Sequence, residues 1–196
     1  MARREQENKV LFGFSDLYIG TYSVNDETGE VTLGTPYKQT GAVGWSPEGQ
    51  GENYTFWADN VAYYSSYTTG SYEGDLVVAR FDDEFRKQFM GEVELDDGGI
   101  AEVKNPVKPS IYMMYEFQGD KGPEKVIWYN GSLGFINREA ATIEDSVEVQ
   151  TETISLTFTG DNETGITKVT YGQDKAGFAT LFTNPPVPKL PEQESE

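Results

Sequence analysis

Carboxylates are the one catalytic group that this chain has in quantity, with 33 Asp and Glu against 15 Lys and Arg and neither histidine nor cysteine. A pair of carboxylates flanking a glycosidic bond can hydrolyse it by acid–base or nucleophilic catalysis. Glu116, Asp120 and Glu124, beside an aromatic hairpin, are the residues to which that chemistry would fall. They have a plainer reading: Glu116 as a solvent-facing strand residue, Asp120 and Glu124 as members of a turn. The missing histidine and cysteine exclude histidine triads, thiol nucleophiles, disulfides and Cys-containing zinc sites.

Other chemistries leave fewer traces. Acidic clusters at Asp82, Asp83 and Glu84 and at Glu94, Asp96 and Asp97 would suit calcium, but neither has the ligand spacing of a helix-flanked calcium loop. Acids at a helix start are expected from the dipole alone. No phosphate-binding Gly-Lys-Ser/Thr loop occurs, and Gly49 with Gly51 lacks the third glycine of the dinucleotide fingerprint. Asn-x-Ser/Thr triplets at Asn53, Asn130 and Asn162 are read as chance. Trp45, Trp57 and Trp128 could form a sugar-stacking platform, which keeps an acidic carbohydrate-binding or adhesive module as the alternative function. Equally, such rings are at home in cores and subunit interfaces, and the run Tyr63, Tyr64, Tyr67 and Tyr72 is read as contact surface.

The elements that would position these residues are mostly strands. Short runs rich in Val, Thr and Tyr alternate with Gly, Pro and Asn turn signals. Ile111, Met113, Tyr115 and Phe117 fall on one face of a strand, with Tyr112, Met114, Glu116 and Gln118 on the other. After a turn at 119–123 the apolar run 126–129 returns as its hairpin partner. Val147 and Val149 are odd where Ile154, Leu156 and Phe158 are even, which predicts a bulge or a change of packing partner. The polar stretches 25–29 and 161–165 both read as hairpin tips, the second returning 166–171 as partner strand. Acids at Asp82, Asp83 and Glu84, then Phe85 and Phe89 four apart, then Gly91, spell one short helix. It follows Leu76 to Ala79, a run apolar on both faces. Residues 37–74 have strand propensity without a single apolar face, which suits strands completed by neighbouring copies. The expected division is an arm over 1–9, one domain over 10–183 and a Pro-rich acidic tail over 184–196.

The length of 196 residues suits a single domain, and the 37% of hydrophobic residues is enough for a core. The formal net charge of −18 argues against a nucleic-acid-binding module, which needs a cationic surface. No apolar run is long enough for a membrane-spanning helix, and the charged start lacks the apolar region of a secretory signal, so use without export is expected.

The segments Gly41-Ala42-Val43-Gly44-Trp45-Ser46-Pro47-Glu48-Gly49, Asn53-Tyr54-Thr55-Phe56-Trp57-Ala58-Asp59-Asn60, Ala62-Tyr63-Tyr64 and Tyr72-Glu73-Gly74-Asp75-Leu76 follow one another, running into Glu84-Phe85. With 112–117 and 172–182, they make the chain resemble the major tail (tail tube) proteins of long non-contractile-tailed bacteriophages of Gram-positive hosts, from about Lys9 to Pro186. The resemblance implies a mainly β fold, a β-sandwich or partial barrel with one short flanking α-helix, completed into a closed barrel by hexameric ring assembly. It implies a structural virion protein, not an enzyme, with no catalytic residue, metal or cofactor. Its rings would stack into the tube through which DNA passes during infection. Partners would be further copies of itself, a tape-measure protein inside the tube, and terminator and distal tail or baseplate proteins at its ends, with no membrane. Localisation would be the phage tail, after synthesis in the host cytoplasm. Trp45, Trp57, Tyr63, Tyr64, Tyr67 and Tyr72 are then expected on the self-assembly surface, and the stretches 46–52 and 69–74 are expected as loops reaching the next ring. A negative lumen would keep phosphates from sticking.

Overall fold

A computed structural model describes residues 8–138, 140, 142 and 149–191. The chain is mainly β: β1 (Leu11–Val24), β2 (Val31–Leu33), β3 (Tyr37–Gln39), β4 (Ala42–Ala58), β5 (Val61–Val78), helix α1 (Asp83–Met90), β6 (Val93–Glu94), β7 (Ile100–Ala101), β8 (Ser110–Gly119), β9 (Glu124–Arg138), β10 (Glu152–Phe158) and β11 (Lys168–Gly172). The main sheet runs β2-β1-β8-β9-β10-β5-β4, with β3 also on β1 and β11 also on β9. Residues 37–58 touch both ends of this sheet, through β3 on β1 and β4 on β5. The arrangement is sandwich-like and open within the monomer.

Two apolar clusters fill the two faces of the β1-β8-β9 region. One holds Ile111, Met113, Tyr115, Trp128, Ile154, Leu156 and Phe158 together with Phe81, Phe85 and Phe89 beneath the helix. The other holds Tyr22, Tyr112, Met114, Ile127, Tyr129 and Leu181. The alternation along β8 therefore sorts its residues correctly between faces, yet both faces of 111–115 are buried. A strand covered on both sides needs apolar residues at every position.

The helix forms as its sequence dictates. Asp82 caps it by accepting from the Phe85 N–H at 2.9 Å, an interaction worth about 1 kcal/mol, and Gly91 ends it in the left-handed conformation at φ 67°. Phe85 and Phe89 pack on Tyr37 and Phe81. The helix is also tied to the sheet by Glu152, only 2% exposed. Its carboxylate accepts from the Phe81 N–H at 2.6 Å and pairs with Arg86 at 3.1 Å and with Arg138.

Three sequence expectations are corrected here. The 161–165 turn exists, with Gly165 N–H donating to the Asp161 carbonyl at 2.9 Å, but it is not a hairpin tip. β10 and β11 run in the same direction along one edge of β9, pairing with 131–138 and 124–128 respectively. They make one strand interrupted by an excursion, beside a bulge where Asn130 takes φ 53° and its amide donates to the Gly160 carbonyl at 2.8 Å. Second, the parity change before β10 needs no bulge at that point. Residues 143–148 lie outside the described residues, Val149 is exposed ahead of the strand, and the irregularity of pairing falls between Ile154 and Leu156. Third, only one face of the 76–79 run is fully buried: Leu76 and Val78 are covered, Val77 half-covered and Ala79 exposed. The 25–29 turn is the hairpin tip expected, joining β1 to β2.

Buried polar contacts lock the excursion in place. Tyr22 Oη donates to Asp161 at 2.6 Å, and Asp161 also accepts from the Thr164 backbone N–H and hydroxyl. Burial favours the protonated carboxyl, but these donors outweigh it and hold Asp161 below its ordinary pKa. Tyr22→Phe is expected to cost about 1.5 to 3 kcal/mol in urea unfolding, since it removes a buried hydrogen bond to a charged group. Gly20 faces the Tyr112 ring so closely that a Cβ would overlap it. Tyr112 is itself held by its hydrogen bond to the Gly34 carbonyl at 2.7 Å. Gly20→Ala is expected to destabilise by about 1 to 3 kcal/mol in the same measurement, as overpacking does.

Candidate assembly surface

β4 and β5 are 17 and 18 residues long, far above the usual five or six. Their first and last thirds differ in company. From Tyr72 to Val78, β5 pairs with β4 on one side and β10 on the other. Beyond Tyr72 the two strands pair, among the described residues, only with each other, as a two-stranded arm that ends in the turn Asp59-Asn60. Both turn residues take positive φ, 52° and 61°, as a two-residue hairpin loop requires, and Asp and Asn accept that conformation most readily after glycine. At 3.3 Å per residue, the eight residues 51–58 carry the arm roughly 26 Å.

This arm is lined with large side chains that stay mostly exposed among the described residues. Trp57, Tyr63, Tyr64 and Tyr67 are 64%, 74%, 56% and 63% exposed, and Tyr54, Phe56 and Val61 are exposed beside them. Phe56 lies directly opposite Tyr64, so with Tyr54 they line one face of the ribbon, while Tyr67 and Asn53 lie on the other. Tyr63 is the extra residue where the register shifts between Phe56 and Trp57. Between Ala42 and Ala79 the chain has Glu48, Glu52, Asp59, Glu73 and Asp75 but no Lys or Arg. At the base of the arm Glu48 and Glu73 sit directly opposite each other, a like-charge pairing that weakens the β4–β5 pairing there.

The structure thus gathers four of the six residues expected at an assembly surface, and turns the other two inward. Trp45 packs edge-to-face on Trp128 and Phe158 at 6.2 and 5.9 Å, and its buried indole N–H has no hydrogen-bond partner. Tyr72 lies 5.1 Å from Trp128 with Lys168 over its other side. Both belong to the core's rim. Tyr54 and Phe56, which were not among those six, are exposed on the same ribbon, and their alternation within the Tyr/Thr/Ser stretch was the available signal. The stretches 46–52 and 69–74 are not loops but opposed parts of β4 and β5, with Pro47 facing Gly74 and Gly49 facing Tyr72. Gly74 has no room for a Cβ against the Ser46 backbone. Gly74→Ala should therefore splay the base of the arm, read as faster amide exchange in 46–58 and 61–72 than in β8.

The alternative sites do not come together. Of the three tryptophans proposed as a sugar platform only Trp57 is exposed, since Trp128 is buried and Trp45 covers it. Glu116 lies 3.9 Å from Lys125, Glu124 accepts from the Asn8 amide at 2.8 Å, and Asp120 accepts from the Lys9 backbone N–H at 2.8 Å. That last bond holds the Asp120 carboxyl below its ordinary pKa. Asp120 and Glu124 hold segment 8–10 against the β8–β9 turn, and Glu116 pairs with Lys125 across the two strands. Among the described residues no three acidic side chains converge on a common point as metal ligands.

Neither a protein-family model nor a curated protein sequence matches the chain. Among solved structures it is similar to the anti-feeding prophage cap (AFP tube terminating cap), with a TM-score of 0.48 at 9% identity over 88% of this chain and 99% of that one. It is also similar to a chain of the PVC sheath-tube complex of an extracellular contractile injection system in the extended state. There the TM-score is 0.47 at 11% identity, over 80% of this chain and 88% of that one.

Proposed function

We propose that this chain is a non-enzymatic structural protein that assembles with copies of itself into stacked rings, forming a phage tail tube. The observation that carries the reading is the β4–β5 arm: a long ribbon with bare strand edges and uncovered aromatic residues, attached to a well-packed body. A two-stranded ribbon alone is marginal in water, and unpaired edges beside exposed aromatics invite strands from another chain. Because the two edges of the arm belong to different strands, edge-to-edge addition is head-to-tail, and such contacts close into a ring when the rotation allows. Six copies around an axis follow the tail-tube proteins that the sequence resembles. Terminator, distal and tape-measure proteins would meet such a tube at its ends and inside it. An acidic stretch that carries no Lys or Arg of its own, as between Ala42 and Ala79, would let DNA pass without adsorbing.

The test is negative-stain electron microscopy of the purified chain over a concentration series, paired with sedimentation velocity. Rings or hollow tubes that grow with concentration are expected. A single monomeric boundary at all concentrations, together with featureless fields, would overturn self-assembly through this arm.

A further inference from the structure

The outer apolar cluster is closed by a segment that has neither helix nor strand. From 173 to 184 the chain runs in successive turns and then, over 185–188, without regular structure, across the face of β1, β8 and β9. Leu181 is fully buried there, Phe182 stacks on Tyr18 with centroids 4.7 Å apart, and Pro188 is buried further on. The Tyr129 hydroxyl donates to the Pro186 carbonyl at 2.9 Å. A charged side chain, Lys125 of β9, takes part in this contact and is itself only 8% exposed. Its ammonium donates to the Phe178 carbonyl at 3.1 Å and lies 4.3 and 4.2 Å from the centroids of the Phe178 and Phe182 rings. Glu116, directly opposite on β8, balances the charge from 3.9 Å.

We propose that residues 173–188 form a strap that opens and closes independently of the body, with Lys125 as the latch. Two features separate the strap from the sheet it covers. It adds no strand to the ladder, and its own backbone bonds are short-range, such as Phe178 N–H to the Lys175 carbonyl and Asn184 N–H to the Thr180 carbonyl. Its tenure on the sheet therefore depends on side chains: an apolar plug at Leu181 and a cation held against two rings and a carbonyl. Opened, it bares Tyr112, Met114, Ile127 and Tyr129, an apolar sheet face that a soluble monomer must keep covered. The latch thus guards the face opposite the helix, whereas the aromatic residues of the arm stay exposed.

Hydrogen–deuterium exchange of the full chain tests this. In the unaltered protein the amides of Phe178, Thr183 and Asn184 should exchange faster than those of β8 and β10, because the strap opens without global unfolding. Lys125→Met keeps the length of the side chain and removes the cation. It should speed strap exchange roughly 10- to 100-fold, the range for losing a charged hydrogen bond, and leave β8 unchanged. Lys125→Arg should restore part of the protection. Strap amides that exchange only together with β8 in the unaltered chain would overturn the proposal, as would an unchanged strap rate in Lys125→Met. Neither result depends on whether the protein forms rings.

Discussion

Replacing Trp57 and Tyr63 together by serine is expected to raise the concentration at which rings form by about 30-fold or more, while the monomer's unfolding free energy stays within about 0.5 kcal/mol. The two effects separate because both side chains are mostly exposed and lie where β4 and β5 are paired with each other and not with β10. Large aromatic anchors at interface centres are typically worth 2 kcal/mol or more, and about 2 kcal/mol corresponds to a factor of about 30. Trp45→Ala is the instructive contrast. Although it lies on the same strand, its ring is wedged against Trp128 and Phe158, so its removal should cost about 3 kcal/mol of folding stability through cavity formation. Sedimentation velocity and urea unfolding on both variants check the pair. If the arm variant assembled like the unaltered chain, the arm would not be the contact surface.

Glu152→Gln is expected to destabilise the protein by about 2 to 3 kcal/mol in urea unfolding although it keeps the shape of the side chain. The carboxylate joins three elements at once: the Phe81 N–H ahead of the helix, Arg86 on the helix and Arg138 at the end of β9. Glutamine keeps the shape but removes one of the two carboxylates paired with Arg86, whose side chain is 16% exposed, leaving Glu92 at 3.2 Å as the other. The pH dependence has a definite sign. Burial alone would raise the pKa of Glu152, yet the Phe81 amide and the two guanidinium groups more than offset it and leave the pKa below the ordinary carboxylate value. A lowered folded-state pKa means a contribution fully present above the unfolded carboxylate value of about 4.3 and lost as pH falls through the folded value. Acid unfolding should thus be less steep in Glu152→Gln than in the unaltered protein. Parallel acid curves would show that the clamp does not govern this limb.

Much of the local structure was legible because its causes are local. The helix was written by Asp82, the Phe85–Phe89 pair and Gly91, each acting within two turns. The faces of β8 followed from alternation, which fixes the side of a strand on which a residue stands. What alternation leaves open is the identity of the neighbouring strand. The 161–165 turn looked like a hairpin tip because its residues suit positive φ, whereas β11 pairs with β9 instead, through contacts some forty residues distant in sequence. The fate of the half-apolar aromatics was open for the same reason. Trp45 and Trp57 stand on one strand in similar company, but only Trp45 lies where Trp128 and Phe158 converge on it from β9 and β10.

By itself, the sequence determined that the chain is a β protein with one short helix, without the residues for thiol or histidine chemistry and with an acidic, aromatic stretch lacking a single apolar face. Composition, turn residues and two-residue periodicity act over a few bonds, so they are readable along the chain. Only the tertiary structure decided that this stretch stands clear of the body as an arm, that Glu152 and Lys125 are buried anchors, and that the irregular segment 173–188 covers a second core. Those outcomes depend on which distant surfaces meet, and burial is set by the neighbours of a residue in space.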